Sequence, residues 1–195
     1  GEQRRLAALR GLEILDSQSE DRFDRITRLA TKLLDVPIAL ISLVDEDRQW
    51  FKAKTGLEAS ETARDISFCG HAIASDLIFE IPDTHEDERF ADNPLVTSAP
   101  NIRFYAGRPI RAAGGERVGT LCVIDHHARE LTGLQRSQLD DLANIVETDL
   151  AIRAERNQVR KTSEIKSQFI AELSHELRTP TNVLLGSLQL LSDGD

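Results

Sequence analysis

The sequence predicts an α+β fold: an antiparallel sheet with helices on one face and irregular caps on the other, continued by a long C-terminal helix. Three observations predict it. Apolar residues recur at helical spacing up to Leu34. Short β-favouring runs bounded by turn residues fill the middle of the chain. From Leu134 onward no proline occurs until Pro180.

Taken in order, Leu6, Leu9, Leu12 and Leu15 repeat every three residues before the polar run from Asp16 to Glu20. Phe23, Ile26, Ala30, Leu33 and Leu34 form one face of a second amphipathic segment that Pro37 ends. These are two packed helices. Ile38 to Val44 is an almost unbroken apolar run and reads as a central strand covered on both faces. After the turn Asp45-Glu46-Asp47, Gln49 to Lys54 is its antiparallel partner, with Phe51 and Ala53 on one face and Trp50, Lys52 and Lys54 on the other. Ile66 to Ala74 reads as a short helix or cap, and Asp83 to Pro100 as an irregular stretch rich in Asp, Asn and Pro. The remaining strands are Leu77 to Ile81, Ile102 to Ile110 and Val118 to Ile124, the last two joined through Ala113-Gly114-Gly115-Glu116. A sheet capped in this way often holds a small-molecule pocket.

The chain has 195 residues, 40% hydrophobic and 29% charged, which places it among folded proteins of one or two domains. Its net charge of −9 argues against a nucleic-acid-binding face. Residues 151–195 hold six basic and six acidic side chains, so the whole excess lies in residues 1–150. No run reaches the roughly 18 apolar residues of a membrane span, and Gly1 to Arg10 is charged where a signal peptide needs an apolar core, so a cytoplasmic protein is expected. The chain has no methionine and begins with Gly, as an excised fragment would. Cys69 and Cys122 stand 53 residues apart, which suits reduced buried thiols, with a disulfide, a redox switch or a covalent chromophore link as alternatives. No metal site is expected, because His85, His126 and His127 lack ligand spacing on one element.

The ordered blocks RFDRITRLA, VPIALISLVDEDRQWFKAKTGL, ISFCGHAI, RFADNPLV, IRFYAGRPI and GTLCVID resemble a GAF domain of the kind found at the front of bacterial sensor kinases and cyclases. The resemblance covers roughly residues 3 to 150. It implies a sensor fold whose pocket candidates are Trp50, Phe68, Cys69, His71, Phe104, Tyr105 and Cys122. Three other uses stay open. Cys69 and Cys122 could work as in the free methionine sulfoxide reductases, Cys69 and His71 could hold a bilin, or the aromatics could fill the core of a ligand-free dimerisation module.

Thr132 and Gln135 have capping-box spacing, and the 48 positions from Thr132 to Pro180 make about 70 Å of helix, longer than a compact domain is wide. A heptad frame with a at Leu142 and d at Ile145 places Ile152, Val159 and Leu173 at d but Asp149, Arg156 and Ser163 at a. That is a weak parallel dimer seam. His175 falls at f, facing away from it. The run Ser174-His175-Glu176-Leu177-Arg178-Thr179-Pro180 resembles the H-box of histidine kinases, with Thr181 standing where that family has an apolar residue. The resemblance makes His175 the phosphoacceptor, Glu176 the neighbouring acid/base, Thr179 the residue that positions water for dephosphorylation, and Pro180 a bend. An imidazole, with an ordinary pKa of about 6.5, has a nucleophilic nitrogen at neutral pH, so residue type and role agree.

The resemblance divides the chain into a GAF sensor (1–150), a coiled-coil linker (151–168) and the first helix of a dimerisation and phosphoacceptor domain (169–195). It further implies a homodimer through the C-terminal helix, a response-regulator receiver domain as partner, and a small-molecule ligand for the sensor. A working kinase of this kind uses ATP and Mg²⁺ on a separate catalytic domain, and no phosphate-cradling glycine loop occurs in this chain. The stretch is therefore expected to carry no cofactor of its own.

Overall fold

The seven residues of Ile38–Val44 are all buried, and this strand, β1, lies near the middle of a six-stranded antiparallel sheet in the computed structural model. The other strands are β2 (Arg48–Thr55), β3 (Glu61–Ala63), β4 (Phe79–Ile81), β5 (Phe104–Arg111) and β6 (Arg117–Asp125), in the order β3-β2-β1-β6-β5-β4. The helices are α1 (Glu2–Gly11), α2 (Asp21–Leu34), α3 (Phe68–Ala72), α4 (Pro94–Thr97) and α5 (Gly133–Ser192). The structure describes residues 1–192, and for residues 175–192 the backbone only. Gly1–Ala154 forms one unit and the chain from Glu155 a second. Among the described residues, no helix is long and apolar enough to cross a membrane.

Two separate cores lie on the two faces of the sheet, as α+β packing requires. On the first face α2 buries Phe23, Ile26, Ala30 and Leu34, and the first turns of α5 bury Leu139, Leu142, Ala143, Val146 and Leu150. Their i, i+3, i+4 spacing puts them on one side of each helix. The reciprocal bonds between Thr132 and Gln135 start α5: Thr132 N donates to Gln135 Oε1 at 3.0 Å and Gln135 N to Thr132 Oγ1 at 3.2 Å. On the second face α3, α4 and the loops cover Leu40, Phe51, Tyr105, Cys122 and Ile124. At Gly119 a side chain would sit 2.0 Å from the Ser42 carbonyl oxygen, so glycine is what allows β6 to lie flush against β1.

Four local expectations change. α1 ends at Gly11, so Ile14 rather than Leu15 is fully buried. Between Ile41 and Ser42 the pairing with β2 slips by one residue, because Lys52 is inserted. Trp50 consequently shares the helical-face core with Ala53, and Phe51 faces the caps. β3 and α4 arise where sequence periodicity showed no element. Finally Leu142, placed at heptad position a, is 5% exposed within the helical-face core and is not part of an open seam.

Candidate functional site

The cap-side face of the sheet forms the floor of a cavity of about 270 Å³. Leu40 of β1, Phe51 of β2, Tyr105 of β5, and Cys122 and Ile124 of β6 line the floor; Phe68, Cys69, Leu95 and Ile102 close it from above. Period-2 alternation puts Thr120, Cys122 and Ile124 on this face, a signal already present in the block GTLCVID. Phe68 stacks between Phe90, with ring centroids 4.3 Å apart, and Tyr105, at 5.1 Å. This stack fixes α3 over the sheet.

Polar groups hold the roof in place. Ser67 caps α3 by accepting from Gly70 N at 2.9 Å, and its hydroxyl donates to Gln49 Oε1 at 2.6 Å. Gln49 also accepts from Ser42 Oγ at 3.3 Å and donates to Thr62 Oγ1 at 2.6 Å, joining β1, β2 and β3 at the cavity edge. Asn93 caps α4 and reaches Ile66 O at 3.0 Å, which ties the two short helices together. The polar lining comprises Gln49, Glu58, Thr62 and Tyr105 together with the two thiols, with neither Lys nor Arg among them.

Cys69 and Cys122 meet here, with sulfurs 3.8 Å apart, and Tyr105 Oη donates to Cys69 Sγ at 3.3 Å. Burial alone would raise the Cys69 thiol, but Cys122 and the hydroxyls around Cys69 favour its charged form and bring it below its ordinary value. Cys122 shifts the opposite way, raised by its bond to Cys69 and by burial. Burial likewise raises the Tyr105 phenol.

Of the pocket candidates read from sequence, Phe68, Cys69, Tyr105 and Cys122 come together on this cavity. Trp50 and Phe104 do not; both belong to the core on the opposite face. His71 lies outside as well, its ring edge-on to Phe90 at 4.9 Å and its Nδ1 3.1 Å from Ser67 O. Gln49, Leu95 and Thr120 were missed, the first two because they sit on an irregular cap or before a bulge. The side chains of His175, Glu176 and Thr179 lie outside the described residues; the α5 backbone is helical through all three positions.

Residues 18–150 match the GAF domain family, and residues 165–195 match the His Kinase A (phospho-acceptor) domain. The cyclic di-GMP phosphodiesterase PA2567 of Pseudomonas aeruginosa is 44% identical over 128 residues, 66% of this chain and 22% of that protein. The autoinducer 2 sensor kinase/phosphatase LuxQ of Vibrio cholerae is 38% identical over 55 residues, 28% of this chain and 6% of that protein. The chain thus spans less than a quarter of either relative. In fold, the GAF domain from an Acinetobacter phosphoenolpyruvate-protein phosphotransferase superposes with a TM-score of 0.55 at 19% identity, covering 82% of this chain and 98% of that one. A capped antiparallel sheet over an apolar cavity is what the first of these matches accounts for: the chain belongs to the GAF domain family, and its residues from 165 onward match the His Kinase A (phospho-acceptor) domain.

Proposed function

We propose that this chain works as the signal-input and phosphoacceptor part of a two-component sensor histidine kinase. The observation that carries the reading is the pairing of a GAF match over 18–150 with a phospho-acceptor match over 165–195, bridged by the single helix α5. The 128 residues matched by the phosphodiesterase are more than the second unit holds, so that match takes in much of the first unit, and the relative is named for a different output. The segment after the sensor therefore sets the activity, and here that segment holds His175.

In this reading a neutral His175 ring nitrogen attacks the γ-phosphorus of ATP held with Mg²⁺ on a catalytic domain, forming the N–P bond as ADP leaves. Glu176 takes the proton from the other ring nitrogen and so keeps the attacking one nucleophilic. The phosphoryl group then passes to an aspartate of a receiver domain, and Thr179 orients water in the reverse, hydrolytic direction. The chain acts as a homodimer in the bacterial cytoplasm, where thiols are reduced at rest.

The test is phosphotransfer from a catalytic domain supplied with MgATP. The parent chain acquires acid-labile phosphate and His175→Gln acquires none; Glu176→Gln slows labelling by about 100-fold or more, the usual scale of general-base catalysis. Equal labelling of the parent and His175→Gln would remove His175 as acceptor.

A second reading concerns the sensor's ligand. The cavity is apolar, about 270 Å³, and lined by no Lys or Arg, which favours a small uncharged molecule over a phosphate-bearing nucleotide. Native mass spectrometry of protein from its source checks this, since a retained nucleotide would contradict it directly.

A further inference from the structure

Cys69 lies on α3 and Cys122 on β6, yet their sulfurs stand 3.8 Å apart, both inside the cavity. The residues are 2% and 0% exposed, so any reagent reaching them does so through that cavity. Two buried small hydrophobes would account for the burial alone. They do not account for the polar groups beside the sulfurs. Tyr105 Oη donates to Cys69 Sγ at 3.3 Å, and the fully buried Thr120, two residues before Cys122 on the same face of β6, sets its hydroxyl beside the thiols. Hydroxyl donors beside a thiol have a use when that thiol carries charge or becomes oxygenated.

We infer that Cys69 and Cys122 form a peroxide-reactive dithiol site, in which a small organic hydroperoxide entering the cavity oxidises Cys69 and Cys122 resolves the product as an intrachain disulfide. The Cys69 thiolate attacks the terminal oxygen of the hydroperoxide; the S–O bond forms, the O–O bond breaks and an alkoxide departs. The alkoxide takes up the proton Cys69 has given up and leaves as an alcohol, with Tyr105 Oη, 3.3 Å from the Cys69 sulfur, as a donor beside it. Sulfur is oxidised by two electrons and the peroxide reduced by two. Cys122 then loses its proton and attacks the Cys69 sulfur; the S–S bond forms, the S–O bond breaks, and hydroxide leaves with that proton as water. The sum is two thiols and a hydroperoxide giving a disulfide, an alcohol and water.

The sulfurs need only close from 3.8 Å to about 2.0 Å, and Cys69 sits on a five-residue helix held over the sheet by side-chain contacts. The apolar lining favours an organic hydroperoxide over hydrogen peroxide. The site stands whether or not His175 accepts phosphate, and its readout is covalent, so the two assignments fail separately.

The experiment treats the reduced 195-residue chain with cumene hydroperoxide and maps peptides without reduction. Wild type is expected to give the Cys69–Cys122 disulfide within one chain. Cys122→Ser is expected to accumulate a sulfenic acid on Cys69 that dimedone traps, and Cys69→Ser to leave Cys122 at least about tenfold less reactive. Tyr105→Phe, which keeps the stacked ring, is expected to slow oxidation of Cys69 about threefold or more; it serves as the control should Cys69→Ser disturb folding. Two reduced thiols after a dose that oxidises free cysteine, or equal dimedone labelling of Cys122 in Cys69→Ser, would overturn the inference.

Discussion

Lys52 is buried, its side chain 0% exposed, which is rare for an ammonium unless it is paired. Its Nζ reaches Glu20 Oε1 at 2.7 Å, Ser17 Oγ at 2.8 Å and Gln18 O at 2.6 Å, pinning the polar loop between α1 and α2 against β2. Glu20 also receives Arg22 at 2.6 Å and Arg153 at 2.8 Å. Burial alone would raise the Glu20 carboxyl, yet hydrogen bonds from Lys52 and Arg22 outweigh it and bring the pKa from 4.5 to about 2. A depressed folded-state pKa contributes stability that is complete above the unfolded value and disappears as pH falls through the folded one. The wild-type chain should therefore lose stability from about pH 5 down to about pH 2, and Glu20→Gln should lose about 2 kcal/mol less over that range. Urea unfolding at stepped pH measures the difference between the two curves. The slope is the informative quantity, because the amide also changes the level by leaving Lys52 with one fewer charged partner. Parallel curves would mean that Glu20 does not carry this part of the acid sensitivity.

β5 presents the cavity on one face and the helical layer on the other, since Tyr105 lines the former and Arg108 reaches across the latter. Arg108 donates to Asp140 Oδ1 at 2.7 Å, Asn144 Oδ1 at 3.0 Å and Glu147 Oε1 at 2.6 Å, three residues on one side of α5. Glu147 Oε1 also accepts from Arg111 N at 2.9 Å, so the strand and the helix are joined at two points. Asp140 is half exposed, and its share should be small. Arg108→Met should cost about 3 kcal/mol, Glu147→Gln about 1 kcal/mol, and Asp140→Asn less than either, in equilibrium urea unfolding. An Asp140→Asn loss as large as that of Arg108→Met would refute this division of the clamp. No sequence pattern announced Arg108, since a charged residue in an apolar run reads as solvent-facing until the helix opposite is known. The same holds for β2. Alternation gave Trp50 and Phe51 opposite faces correctly, but the inserted Lys52 reverses which face each takes, and an insertion leaves no periodic trace. β3 was illegible for another reason: Glu61-Thr62-Ala63 is a short edge strand with no buried alternation to betray it. By contrast β1 and β6 were legible because burial on both faces demands an unbroken apolar run, and of the seven pocket candidates implied by the resemblance, Phe68, Cys69, Tyr105 and Cys122 line the cavity.

At the scale of the molecule, α5 carries apolar residues that the sheet does not cover. Ile145 is 51% exposed and Ile152 38% exposed in the first unit; Val159 is 64% and Leu173 41% exposed in the second. They repeat at seven-residue spacing, with Lys166 in the remaining place, the spacing that the d positions of a parallel coiled coil would have. Leu142 belongs to the sheet's core, so a seam drawn through the first unit would have to omit it, and the second unit is where the pairing can be tested cleanly. There the a positions Arg156 and Ser163 are polar, which weakens a dimer without abolishing it. Two substitutions should then act in opposite directions on one equilibrium. Val159→Glu places a charge on a d position that pairing would cover and should raise the dimer dissociation constant about tenfold or more; Ser163→Ile fills an a position and should lower it by a similar factor. Sedimentation equilibrium reads both, and thermal unfolding of the first unit should be unchanged because neither residue contributes to its cores. A chain that stays monomeric in all three forms, or a constant that neither substitution moves, would exclude this stripe as the dimer seam. An opposed pair of shifts would show the seam held near its balance point, the condition in which a change of about 1–2 kcal/mol in the sensor alters the populations of the helix pair.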